Sequence, residues 1–121
     1  MKKKNVQAFT LLELVIAVGI MLTVIAGLFV ASLNCMFLNQ TNSNLVIAAN
    51  DAQYVLEQLK GLAYTDIEDY SPPVFTNLEN ENIPAPAVTQ IKAGLKEVTV
   101  NVNWTERQRP RTFSLSTRFE D

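Results

Sequence analysis

Glu13 is a carboxylate at the mouth of an apolar run. It closes the stretch Phe9-Thr10-Leu11-Leu12-Glu13, and no further charge occurs from Leu14 to Leu33. An acid at membrane depth costs roughly 2.5–3.5 kcal/mol at a helix centre and less near the interface, so such residues are rare and usually functional. The chemistry Glu13 offers is pairing with a cation. Two other groupings bear charge. Arg107, Arg109 and Arg111 occupy alternate positions, with Arg118 as a fourth candidate. They are suited to anionic phosphate, but a solvated loop whose charges blunt an exposed sheet edge is the favoured expectation. Asp66, Glu68 and Asp69, with Glu79 and Glu81, carry oxygen donors for calcium. The ligand spacing of a calcium loop is absent, so a polar loop is expected there.

The sequence has no histidine and one cysteine, Cys35. Histidine-dependent triads, the commonest metal ligand and an internal disulfide are thereby excluded. No glycine-rich phosphate loop and no carboxylate dyad stand out. The expectation is a non-enzyme without metal or cofactor. Lys2, Lys3 and Lys4 hide a charge asymmetry: without them, 7 basic residues face 12 acidic ones. That acidic body lacks the general basic footprint of a nucleic-acid binder.

The elements that must position these residues follow from periodicity. Residues 14–33 are twenty uncharged positions, enough to cross a hydrocarbon core of about 30 Å. Three lysines ahead of them favour an N-terminus in the cytoplasm and a C-terminus outside. A cut after the run has only Ala31-Ser32-Leu33 as a weak small-residue site; a cut between Ala8 and Phe9 would keep the apolar helix. Gly27 and Ala31, four apart, would let another helix approach closely. Beyond a polar patch, Leu45, Ala48, Ala52, Val55, Leu59 and Leu62 recur in steps of three and four. This is an amphipathic helix whose Asp51, Gln53, Glu57, Gln58 and Lys60 can stay wet. Gly61 is the stop signal.

A proline- and asparagine-punctuated connection follows, with short strands expected near Val74-Phe75 and Val88–Ile91. Val98, Val100, Val102 and Trp104 alternate with polar residues, as do Phe113, Leu115, Thr117 and Phe119. These are two half-buried strands of an antiparallel hairpin, with Glu106–Arg111 and its Pro110 as the turn region. The fold class expected is α+β: a long N-terminal helix, membrane-spanning in its first half, packed on a small antiparallel sheet that ends in a C-terminal hairpin.

The basic leader, the small residue and FTLLELVIAV together resemble the N-terminal cleavage and methylation signature of type IV pilins and the pseudopilins of type II secretion. The ending VTVNVNW…RTFSLSTRF is similar to the terminal hairpin of small minor members. The resemblance implies that prepilin peptidase cuts between Ala8 and Phe9 and methylates the Phe9 amine. It also implies that Glu13 pairs with the terminal amine of a neighbouring subunit, setting axial register in a helical fibre. The implied partners are that peptidase, other pilins or pseudopilins, the inner-membrane assembly platform, and the bilayer before assembly. On this basis residues 1–8 are a leader, 9–62 a long helix with its transmembrane part at about 14–33, and 63–121 a small β domain.

Three features depart from the family pattern. Ala8 stands where glycine is usual before the cut, so slower processing is expected. No cysteine pair closes a C-terminal loop, and no proline loosens the first helix. They point to a minor pilin or pseudopilin; a tip-located adhesin or DNA receptor and a non-polymerising membrane anchor are the alternatives.

Overall fold

A computed structural model describes residues 10–121. One helix, α1 (Leu11–Lys60), is followed by three strands, β1 (Ala87–Lys92), β2 (Leu95–Glu106) and β3 (Arg109–Glu120). The architecture is α+β, as expected. The chain divides into two compact units between Asn39 and Gln40.

In the first unit α1 is capped by Thr10, whose Oγ1 accepts the Glu13 amide at 3.3 Å. Threonine with glutamate three residues later is the sequence of a capping box, and an acid in the first turn complements the helix dipole. The interior polar groups are answered locally. Thr23 donates to the Ile20 carbonyl at 2.7 Å and Ser32 to that of Leu28 at 2.9 Å, so both hydroxyls find an acceptor within the helix.

The second unit places the rest of α1 on the sheet. Strand order is β1-β2-β3, antiparallel throughout, with β2 central. The core joins Ala48, Ala52, Val55, Leu56 and Leu59 of α1 to Val98, Val100, Val102 and Trp104 of β2, with Ile67 and Leu78 from the connection. Each buried valine or leucine contributes roughly 1.5–3 kcal/mol by leaving water. Phe113, Leu115 and Phe119 of β3 are half-buried against this core. The outer face is a polar ladder: Thr99 with Ser116 at 2.8 Å, Thr112 to Asn103 at 2.8 Å, Ser114 to Asn101 at 2.7 Å. Such cross-strand pairs hold register where no apolar packing can.

Several expectations need correction. The apolar stripe is shifted: Leu45 and Leu62 are exposed, whereas Leu56 is buried. Asp51, expected to stay wet, is buried too. No strand forms at Val74-Phe75. Two prolines precede it and cannot donate to a ladder; Val74 is 91% exposed, and Phe75 is instead held edge-on to Tyr54 at 5.9 Å. The strand at Val88–Ile91 does form, within β1.

The hairpin turn is shorter than expected. Only Arg107 and Gln108 lie between the strands, at φ of 51° and 63°. Two left-handed residues in succession match the right-handed twist of the flanking strands. Pro110 therefore lies in β3, opposite Thr105. The pair next to the closing pair of such a hairpin exchanges no ladder bonds, and β3 is an edge strand, so the missing N–H takes nothing away.

Candidate functional site

The candidate site in the first unit is a surface. Every large apolar side chain from Leu11 to Leu38 is exposed, on a helix long and apolar enough to cross a membrane. A contiguous apolar surface of this extent calls for a non-aqueous or protein environment. Glu13 lies at its start, in the first helical turn. Gly27 and Ala31 are exposed, and nothing comes within 4 Å of the position a Gly27 Cβ would take. Ala8 and Phe9 lie outside the described residues.

In the second unit, Arg107, Arg109 and Arg111 do come together, around a cleft of about 250 Å³. The fourth wall of that cleft is Glu106, whose side chain is 3% exposed and bonded to Arg111 Nε at 3.3 Å. A carboxylate already answers part of the arginine charge, which weakens the case for a phosphate contact. Arg118 does not join them. It pairs with Glu97 at 3.3 Å, far along β3 from the turn.

Of the five acids weighed as calcium ligands, Glu68 and Glu81 are engaged by other groups. Glu68 binds Lys96 at 2.9 Å, whereas Glu81 Oε2 accepts the amides of Asn77 and Leu78 at 2.9 and 3.0 Å. Burial pushes the Glu81 carboxyl above its ordinary range. The neighbouring Asp51 adds to that rise, and the two amide bonds oppose it. Burial likewise raises the Tyr70 phenol, with Tyr54 as the lesser cause.

Three further charged residues matter: Lys96; Glu106, expected in the turn region; and Asp51, expected to stay wet. The inward positions of β2 run Lys96, Val98, Val100, Val102, Trp104, Glu106: four apolar residues with a charge at either end. Lys96 Nζ is met by the Tyr64 carbonyl at 3.2 Å, the Tyr64 ring at 4.3 Å and Glu68. Glu106 accepts from Asn44 Nδ2 at 2.9 Å and Thr41 Oγ1 at 3.3 Å, both on α1. Continuing the period-two count by one step each way would have found both. The third, Asp51, breaks the helical pattern, and only its partner Asn77 explains it.

Residues 3–29 match the family model of the prokaryotic N-terminal methylation motif, the signature of type IV pilins and pseudopilins. No curated protein and no solved structure matches the chain. Together the motif and the long apolar helix fit a membrane-anchored, pilin-like or pseudopilin-like protein.

Proposed function

We propose that this protein is a minor pilin or pseudopilin, a structural subunit of a type IV pilus or of a secretion or competence pseudopilus. One observation carries the proposal: the methylation motif at residues 3–29 takes in the start of a helix whose large apolar side chains are exposed from Leu11 to Leu38. The precursor sits in the cytoplasmic membrane with its lysines inside and its C-terminal unit outside. Prepilin peptidase removes residues 1–8 and methylates Phe9. The apolar helix then leaves lipid for a bundle of like helices at the assembly platform. Gly27 and Ala31 admit a neighbouring helix, and Glu13 meets the terminal amine of an adjoining subunit.

The test is mass spectrometry of the N-terminus of protein purified from membranes of a host with an active peptidase. An N-methylated Phe9 terminus is the expected result. An intact Met1 would instead make the chain a bitopic anchor that is never processed.

A further inference from the structure

Asp51 and Glu81 share one partner, Asn77, whose side chain bonds the first and whose backbone amide bonds the second. Asp51 is on the inner face of α1, 8% exposed, among Ala48, Ala52 and Val55. Both of its oxygens accept from Asn77 Nδ2 at 3.1 Å. Glu81 turns one oxygen, Oε2, to the Asn77 and Leu78 amides. Its other oxygen, Oε1, is buried and has no hydrogen-bond partner among the described residues, and the nearby Asp51 carboxylate adds to the burial that disfavours its ionisation. Two ionised carboxylates cannot bond to each other, since neither carries a proton. Add one proton, and the orphaned oxygen gains a partner in a short, charge-assisted O–H···O⁻ bond.

We propose that Asp51 and Glu81 hold one proton between them, and that this proton clasps the Asn77–Glu81 turn onto α1. The turn is fixed from its other side as well. The Glu79 carbonyl accepts the Thr105 amide at 2.8 Å, and Asn82 exchanges two backbone bonds with Asn103. Leu78 is buried in the core between them. A proton at the clasp therefore ties helix, connection and the central strand β2 into one body.

The surroundings favour a proton over a metal cation. The amide group of Asn77 presents N–H to Asp51, a donor where a cation would need an acceptor. No group of three or more acidic, histidine or cysteine side chains able to hold a metal occurs among the described residues. Nor, among the described residues, does a basic side chain contribute to the electrostatics of Glu81. On β2, Asn103 and Thr105 bring no charge. Lys96 is held by Tyr64 and Glu68, and Glu106 by Thr41, Asn44 and Arg111. On α1 the facing charge is Asp51 itself, and Tyr54 packs on Phe75.

Folding favours the protonated form of Glu81. The contribution of the clasp is therefore complete below the ordinary glutamate range and is lost as pH rises through the raised folded value.

The experiment uses the full chain in detergent micelles, with the Glu81 carboxyl followed by carbon-13 NMR and amide exchange read across a pH series. Glu81 should titrate above ordinary glutamates. Protection of the Leu78 amide, corrected for intrinsic rate, should fall about tenfold for each pH unit by which the midpoint is raised. Asp51→Asn should lower that midpoint, leaving the part of the rise that burial causes. Glu81→Gln, which keeps a donor toward Asp51, should hold the turn and abolish its pH dependence. A Glu81 midpoint at or below the ordinary range overturns the proposal. So does a midpoint that added calcium or a chelator moves, since the bridge would then be a cation.

Discussion

Glu106 shows how one buried acid can set the position of a helix on a sheet. Its oxygens collect Asn44 and Thr41 from α1 and Arg111 from β3, so sliding α1 along β2 would strand a desolvated charge. Lys96 closes the other end of the same strand face against the Tyr64 carbonyl and Glu68. Glu106→Ala leaves partly buried donors unpaired and should destabilise the second unit by about 1–3 kcal/mol. Arg111→Ala should cost less than about 1 kcal/mol, because its side chain is 52% exposed. Urea unfolding of the two variants in one detergent checks the ordering; equal losses would mean that Arg111, not the helix contacts, carries the interaction. The valines and Trp104 of this strand were legible because alternation registers apolar residues. Lys96 and Glu106 continue the same alternation with charges, which a hydrophobic pattern cannot count. Asp51 was misread for a similar reason: an acid on an amphipathic helix is assigned to water unless its partner is known, and Asn77 lies 26 residues away.

At the level of elements, local pattern located both hairpin strands and the helix stop but misplaced the turn. Proline usually marks a turn, and Pro110 drew the boundary into what is in fact β3. The real turn, Arg107-Gln108, contains neither glycine nor asparagine, the residues that normally advertise two left-handed positions. That choice carries a conformational cost. A non-glycine residue in the left-handed region loses roughly 1–2 kcal/mol relative to the right-handed one. Gln108→Gly should therefore raise stability, by about 1 kcal/mol, once the greater freedom of unfolded glycine is set against the relieved strain. Thermal unfolding measures this directly, and a lowered melting temperature would show that the Gln108 side chain has a role in holding the tip. The connection over residues 61–86 was the least legible part. It is fixed by side-chain anchors (Phe75 on Tyr54, Asn77 on Asp51, Leu78 in the core) instead of by any repeating pattern.

The whole molecule combines two units with opposite demands: a helix segment that exposes apolar side chains all round, and a unit with its own polar surface and closed core. Glu13 belongs to the first, and two physical roles compete for it. One is local. As the third residue after the Thr10 cap, it complements the positive end of the helix dipole, worth about 0.3–1 kcal/mol. The other is the intermolecular pairing proposed above, which needs its negative charge. Alanine substitution removes both and cannot tell them apart. Glutamine serves nearly as well at the capping position but carries no charge. Glu13→Gln should therefore leave α1 and membrane insertion intact, with insertion if anything easier by a fraction of the roughly 2.5–3.5 kcal/mol that a central charge costs. Incorporation into fibres, scored by immunoblotting sheared filaments against the membrane fraction, should nevertheless fall severalfold. Wild-type incorporation of Glu13→Gln would reduce Glu13 to a helix-capping residue, and register in the fibre would then have to come from the packing of apolar faces around Gly27 and Ala31.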